Sequence, residues 1–327
     1  MKTKQEVTKM ICEEIIFGFA VGDALGVPFE FLEADEIDFK FSDEMAEFGT
    51  YHQPAGTFSD DTSMMCCMIE AMIQDGKTKT MADNFLKWKN ENFWTANGEV
   101  FDIGNTIKVA LNAYEKTGDI SGAATNNEYS CGNGSLMRIL PLLPYIMDKS
   151  LDEKFKYIKS VSCITHGHIR TAIACFIYLE LAQHIFEQGK IHKPRFAAFL
   201  SRTILTFLEN NPETKDEMKN FETLFTNLPA RIPREQLSNS GYVVDSLILA
   251  IHCFFRYNRY EMGVWYAISF GGDTDTNAAL TGALYTLYGG KKEIPARWLN
   301  KLAKKEELEN LAQRWATSLN KAHEILN

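Results

Sequence analysis

A chain of 327 residues with 45% hydrophobic and 24% charged side chains has the make-up of a globular protein with a sizeable core. Its formal net charge of -9 argues against a general affinity for nucleic acid or for an anionic membrane. A polyanionic ligand therefore needs a dedicated site.

From the N-terminus, VTKMICEEIIFGFAVGDALG carries apolar residues at 7, 10, 11, 15, 16, 19 and 20, which is helical spacing. Its later part is apolar on nearly all sides and is expected to be buried. Glu13 and Glu14 before it, Asp23 within it and the lack of a tight basic leader exclude a signal peptide or membrane span. IDFKF, 37 to 41, is the nearest thing to an alternating strand. SDDTSMMCCMIEAMIQDG, from Ser59, has capping residues, an apolar helix and Gly76 as its stop. FDIGNTIKVALNAYEKTGD predicts a helix ending near Gly118, and GHIRTAIACFIYLELAQHIFEQGK a long central one ending at Gly189. GYVVDSLILAIHCFFRY and DTNAALTGALYTLYGG predict two more.

The stretches around 122 to 136 and 227 to 241 read as loops. ENNPETKDEMKN, 209 to 220, suits either a boundary or a surface helix and loop. No repeat or proline-rich linker divides the chain, so an all-α fold is expected, with residues 1–327 forming a single compact multi-helix domain. Seven scattered cysteines without CxxC or Cys/His zinc spacing are expected to be reduced and buried, which implies a cytoplasmic location.

Three polar clusters lie at helix edges: Asp23 and Glu30 around a glycine-proline turn, Ser59 to Thr62, and Asp273 to Thr276 after Gly271 and Gly272. Each has an architectural explanation, because an Asp, Ser or Thr at a helix start satisfies orphan N–H groups and complements the dipole. One cap needs one oxygen, whereas SDDT and DTDT each offer four side chains. Buried adjacent carboxylates call for a cation, and oxygen-only donors point to Mg²⁺, with Mn²⁺ or Ca²⁺ as alternatives. Two such clusters would hold a pair of ions if the fold brought them together.

GNGS, residues 132 to 135, lets a ligand approach the backbone closely, or is a plain loop; it matches neither the dinucleotide fingerprint nor the P-loop. His166 and His168 are two apart and face different sides of a helix, so one is expected to meet substrate or cap the helix, and joint zinc ligation is excluded.

GDALGVPFE, SDDTSM, FDIGNT, GNGSLMRILPL, THGH, GYVVDSL and GGDTDTNAALTGALYTLYG follow one another between residues 22 and 289. In this order they closely resemble the ADP-ribosylglycohydrolase family, which includes the dinitrogenase reductase-activating glycohydrolases. The resemblance implies an all-α fold of that type, with two Mg²⁺ (or Mn²⁺) ions at the base of a cleft that binds ADP-ribose. Ser59, Asp60, Asp61, Asp273, Asp275 and Thr276 match metal ligands, with Asp275 bridging; Ser59 stands where threonine is frequent, and both supply a hydroxyl. Glu30 matches a mobile acidic residue beside the metals, and Asp102 and Asn105 match substrate-side residues. Gly132, Asn133, Gly134 and Ser135 match a loop around the diphosphate and distal ribose, His166 a histidine near the ligand, and Gly241 with Tyr242 a segment near adenosine.

The activity so implied is Mg²⁺-dependent hydrolysis of the bond between ADP-ribose and a modified protein side chain, arginine-linked favoured. Glu30 or Asp102 would move protons beside Asp60. Alternatives are hydrolysis of a small conjugate such as O-acetyl-ADP-ribose, an immunity protein against a cognate ADP-ribosylating toxin, a non-catalytic ADP-ribose binder and a Mg²⁺-dependent phosphohydrolase. The loops around 90 to 102 and 122 to 131, which would choose the acceptor, carry no pattern assignable to one substrate class. No nucleic-acid or membrane partner is expected.

Overall fold

Four of the long helices begin where a side chain satisfies a free backbone N–H. In the computed structural model, which describes residues 3–37, 44–190 and 192–325, α1 (Lys4–Gly26) opens on a capping box between Thr3 and Glu6. Ser59 caps α2 (Asp60–Gln74), and α3 (Thr78–Glu91) follows after a short turn. Next comes α4 (Asn105–Thr117), which stops at Gly118 in the left-handed region. Ser150 and Glu153 form a second capping box on α5 (Leu151–Ser162), and His168 caps α6 (Ile169–Gln188). After a run of short helical turns come α7 (Val243–Arg256), α8 (Tyr260–Ile268), α9 (Thr274–Gly289) and α10 (Lys305–Ile325).

The N-terminal helix packs along α9, almost at the other end of the chain, and α10 covers its far side. The α1 and α9 backbones meet through Gly18, Gly22 and Gly26 on α1 and Gly282 on α9. A Cβ on Gly22 would overlap the Ala278 carbonyl, and one on Gly26 would overlap the Asp275 backbone. Helices α7 and α8 pack on the rest of α9, and α2 lies against α3 and α10. Helix α6 is long and apolar enough to cross a membrane by composition, but it runs through the interior against α5, α7 and α9.

The expected helices all form. Among the described residues there is no strand, only isolated bridges pairing Thr125 with His166 and Gly132 with Tyr242. The strand expected over 37 to 41 lies, beyond Ile37, outside the described residues. The segment from 209 to 220 runs into the helical turn Lys215–Phe221, buries Thr214, and pairs Glu217 with Arg170 of α6 at 2.6 Å. All seven cysteines are unpaired, and only Cys163 is other than buried.

Candidate active site

The start of α9 is built on two left-handed glycines. Gly271 and Gly272 have φ of 69° and 66°, which an L side chain would strain. They let the turn exchange two backbone bonds with the segment after Glu30: Phe31 N–H donates to Gly272 O at 2.8 Å and Gly272 N–H to Leu32 O at 2.9 Å. The Thr274 hydroxyl donates to the Gly26 carbonyl at 2.8 Å and so fastens α9 to the end of α1. Asp273 occupies the cap position but makes no capping bond; its Oδ2 instead accepts from Asn133 Nδ2 at 2.6 Å.

At the start of α2 the division of labour is similar. Ser59 Oγ accepts from Asp61 N–H at 3.2 Å, which is the cap. Asp23, one turn from the end of α1, accepts from Ser59 N–H at 2.9 Å, Thr62 N–H at 3.0 Å and the Thr62 hydroxyl at 2.6 Å. Asp23 is therefore an architectural clamp. The orphan donors being satisfied, Asp60 and Asp61 are left over, and both line a cleft of about 390 Å³, within the size range of small-ligand pockets.

The two helix starts converge in that cleft. The Thr276 hydroxyl donates to Asp61 Oδ2, and single carboxylate oxygens of Glu30, Asp273 and Asp275 lie within 4.8 Å of one another. Asp102, held at φ 55°, also lines the cleft, close enough to Glu30, Asp273 and the Tyr51 hydroxyl for their electrostatics to be linked. Among the described residues five carboxylates line the cleft, those of Glu30, Asp60, Asp61, Asp102 and Asp273, and no Lys or Arg does.

Burial is the main cause of the resulting electrostatic stress, and mutual repulsion adds to it. It raises Asp102 to about 6, and together with the charges of Asp102 and Asp273 it raises Glu30 to about 10. Asp60, Asp61 and Asp275 are pushed well above the ordinary carboxylate range for the same reasons. Glu30 Oε2, Asp61 Oδ1 and Asp275 Oδ2 are buried with no hydrogen-bond partner. Buried, clustered, unpartnered carboxylate oxygens fit a hard metal ion, which would reverse the sign of the local field.

The opposite wall carries little charge. Gly132, Asn133 and Gly134 line it with His166, Asn105, Ile107, Met137 and Gly241. Asn133 N–H donates to Gly241 O at 2.9 Å, so the GNGS turn and the start of α7 move together. His166 Nδ1 lies 2.8 Å from the Thr165 hydroxyl, and burial followed by the Arg138 charge lowers the ring to about 3, so it is neutral. His168 caps α6 through Nδ1, while His166 lines the cleft.

Ser135 and Tyr242 sit apart from the cleft lining. The Ser135 side chain is wholly buried, accepts from Ser162 Oγ at 3.0 Å and contacts Cys175. Tyr242 lies just beyond Gly241, with the Arg170 guanidinium 5.9 Å from its ring. Sequence reasoning missed Tyr51, Phe31, Asn239 and the clamp role of Asp23. Asn239 holds the Gly-Gly turn, accepting from Asp273 N–H at 2.9 Å and donating to Phe270 O at 2.7 Å. Tyr51 packs between Phe31 and Phe101, and no local pattern marks it.

A profile of the family described as ADP-ribosylglycohydrolase matches residues 12–324. The chain is 28% identical over 301 residues to the ADP-ribosylarginine hydrolase Tri1 of Serratia proteamaculans, covering 91% of this chain and 77% of that one. It is 26% identical to the ADP-ribosyl-[dinitrogen reductase] glycohydrolase of Rhodospirillum rubrum, covering 89% and 90%. A solved structure described as an ADP-ribosylglycohydrolase-related protein complex superposes with a TM-score of 0.77 at 27% identity, covering 95% of this chain and 99% of that one.

Proposed function

Because the chain belongs to the ADP-ribosylglycohydrolase family, a family of hydrolases, we propose that it releases ADP-ribose from a modified protein side chain, with an arginine linkage as the preferred substrate. The observation that carries this reading is the set of buried, unpartnered carboxylate oxygens of Glu30, Asp61 and Asp275 gathered at one side of a cleft whose other side is the weakly charged wall of Gly132, Asn133, Gly134 and His166. The acidic lip suits a cationic guanidinium, and the name of the Serratia relative supports the same acceptor.

Asp60, Asp61, Asp273, Asp275 and Thr276, with Ser59 fixing the turn, would hold two Mg²⁺ ions; Mn²⁺ fits the same donors. When bound, the ions supply Lewis acidity for ribose hydroxyls and a water of lowered pKa. The side chain that exchanges a proton with the leaving nitrogen or with water is Glu30, whose Oε2 is buried without a hydrogen-bond partner among the described residues. Asp102 and Tyr51 lie close enough to Glu30 to bias where that proton sits. Gly132 to Gly134 admit the ligand close to the backbone, and neutral His166 offers a hydrogen bond without repelling a cationic acceptor.

The test is a panel of arginine-linked, serine-linked and O-acetyl ADP-ribose conjugates, each with Mg²⁺ and with a chelator. Metal-dependent release from the arginine conjugate is expected to exceed the others. Release from the serine or ester conjugate alone would reassign the acceptor, and equal release in chelator would remove the metal from the scheme.

A further inference from the structure

Arg138 is completely buried, and among the described residues no carboxylate pairs with it. Its Nη1 donates to the Gly134 carbonyl and its Nη2 to the Val161 carbonyl at 3.3 Å. Nε has no partner, and the Phe85 ring lies 4.8 Å from Cζ. A buried cation without a counter-ion is among the costliest arrangements a core can hold, since carbonyls and a ring face compensate only part of the lost hydration. Gly134 lines the cleft, so this charge sits one peptide unit behind the cleft wall.

The rest of that wall adds no positive charge. His166 is neutral, and among the described residues the lining contains no lysine or arginine. The wall nevertheless faces five carboxylates in a protein of net charge -9, a setting that repels anions. Arg138 turns the electronegative end of the Gly134 peptide inward onto itself and sets a fixed positive field at one side of the cleft.

We propose that Arg138 is a positioning residue for an anionic ligand: without touching it, the buried guanidinium acts through the Gly134 peptide to favour a diphosphate group against the Gly132–Gly134 wall and away from the carboxylates. The identification of that ligand as ADP-ribose rests on the function proposed above; the field itself does not. A unit charge held a few ångströms behind a partly desolvated wall is worth on the order of tenfold in affinity for a dianion. Its effect on a neutral nucleoside is negligible, so the device discriminates by charge.

The experiment is calorimetric titration of the full chain with ADP and with adenosine, at one fixed free Mg²⁺ concentration, in three forms: parent, Arg138→Lys and Arg138→Gln. Lysine keeps the charge on a single donor nitrogen, and glutamine keeps a donor nitrogen without the charge. Lysine is expected to bind ADP within about threefold of the parent and glutamine to lose about tenfold, while adenosine changes in neither. If the glutamine chain does not fold, Arg138→Met, which retains length, takes its place. Equal ADP affinity in the lysine and glutamine chains, or a parallel loss of adenosine, would reduce Arg138 to a brace for the loop and overturn the proposal. A parent that binds no ADP also overturns it. A parent that shows the expected pattern but hydrolyses no conjugate refutes the hydrolase reading and leaves this one standing.

Discussion

The Thr276 hydroxyl donates to Asp61 Oδ2 at 3.2 Å, a contact between two helix starts separated by 215 positions in the chain. Each of these residues lies in the first turn of its own helix, so one bond sets the spacing of the two acidic clusters. Replacing Thr276 by valine keeps the branched shape and removes only the hydroxyl. A hydrogen bond to a charged acceptor contributes roughly 1.5–3 kcal/mol, so Thr276→Val should lower the melting temperature by several degrees. It should also weaken Mg²⁺ or Mn²⁺ binding by about tenfold, and Thr276→Ser should restore most of both. Differential scanning and metal titration read these effects; unchanged metal affinity in the valine form would take Thr276 out of the ligand set.

Chelated protein should lose stability as pH rises. Asp23 and Asp102 are raised to about 6 and Glu30 to about 10, above their unfolded values near 4, by burial first and, for Asp102 and Glu30, by neighbouring carboxylates as well. The stability such groups contribute is complete below the unfolded pKa and is lost as pH climbs through the folded one. Melting temperature in chelator is therefore expected to fall between pH 5 and pH 8, and the gain from adding Mg²⁺ should grow over the same interval. A metal-induced gain as large at pH 5 as at pH 8 would contradict this account.

Asp23 touches no part of the cleft yet should control it. Its carboxylate accepts three hydrogen bonds at the start of α2. Asp23→Asn leaves an amide NH₂ facing at least one of those donors, at a cost of about 2–4 kcal/mol. Urea unfolding should show that loss, and metal affinity should fall as well because Asp60 and Asp61 lose their anchor. A stability loss with metal affinity intact would mean that the turn holds its geometry without the clamp.

Two glycines on one helix face should separate packing from ligation. A Cβ at Gly18 would press on the Thr286 side chain and the Gly282 carbonyl, far from the acids, whereas a Cβ at Gly26 would press on the Asp275 backbone. Both Gly18→Ala and Gly26→Ala should destabilise by roughly 1–3 kcal/mol through overpacking. Only Gly26→Ala should also impair metal binding, and equal metal affinity in the two variants would show that Asp275 absorbs the shift.

Much of the local structure was legible because it is local. Apolar spacing and capping residues marked α1, α2, α4, α6, α7 and α9, and the surplus of oxygens in SDDT and DTDT pointed to more than capping. Within those clusters the labour is divided by tertiary partners that no spacing displays: Ser59 caps, Thr274 fastens α9 to Gly26, and the remaining acids face the cleft. Asp23 resembled Glu30 in sequence, but its partners lie 36 and 39 residues away and make it a clamp. The stripe Gly18, Gly22, Gly26 is present at four-residue intervals, yet it acquires meaning only against α9. Tyr51 has no local signature at all, because its role comes from two carboxyls on different loops.

The packing of α1 against α9 also governs when the protein can acquire its site during synthesis. The first helix leaves the ribosome early, and Asp60 and Asp61 soon follow, but Gly272, Asp273, Asp275 and Thr276 arrive only after most of the chain has been made. Until then the α1 face bearing Gly18, Gly22 and Gly26 has no backbone to meet, and the early acids have no opposing oxygens to gather with. Such late, long-range closure is slow relative to helix formation. A nascent chain stopped before residue 270 can therefore be helical and still lack a cleft, so binding competence should switch on with the emergence of α9.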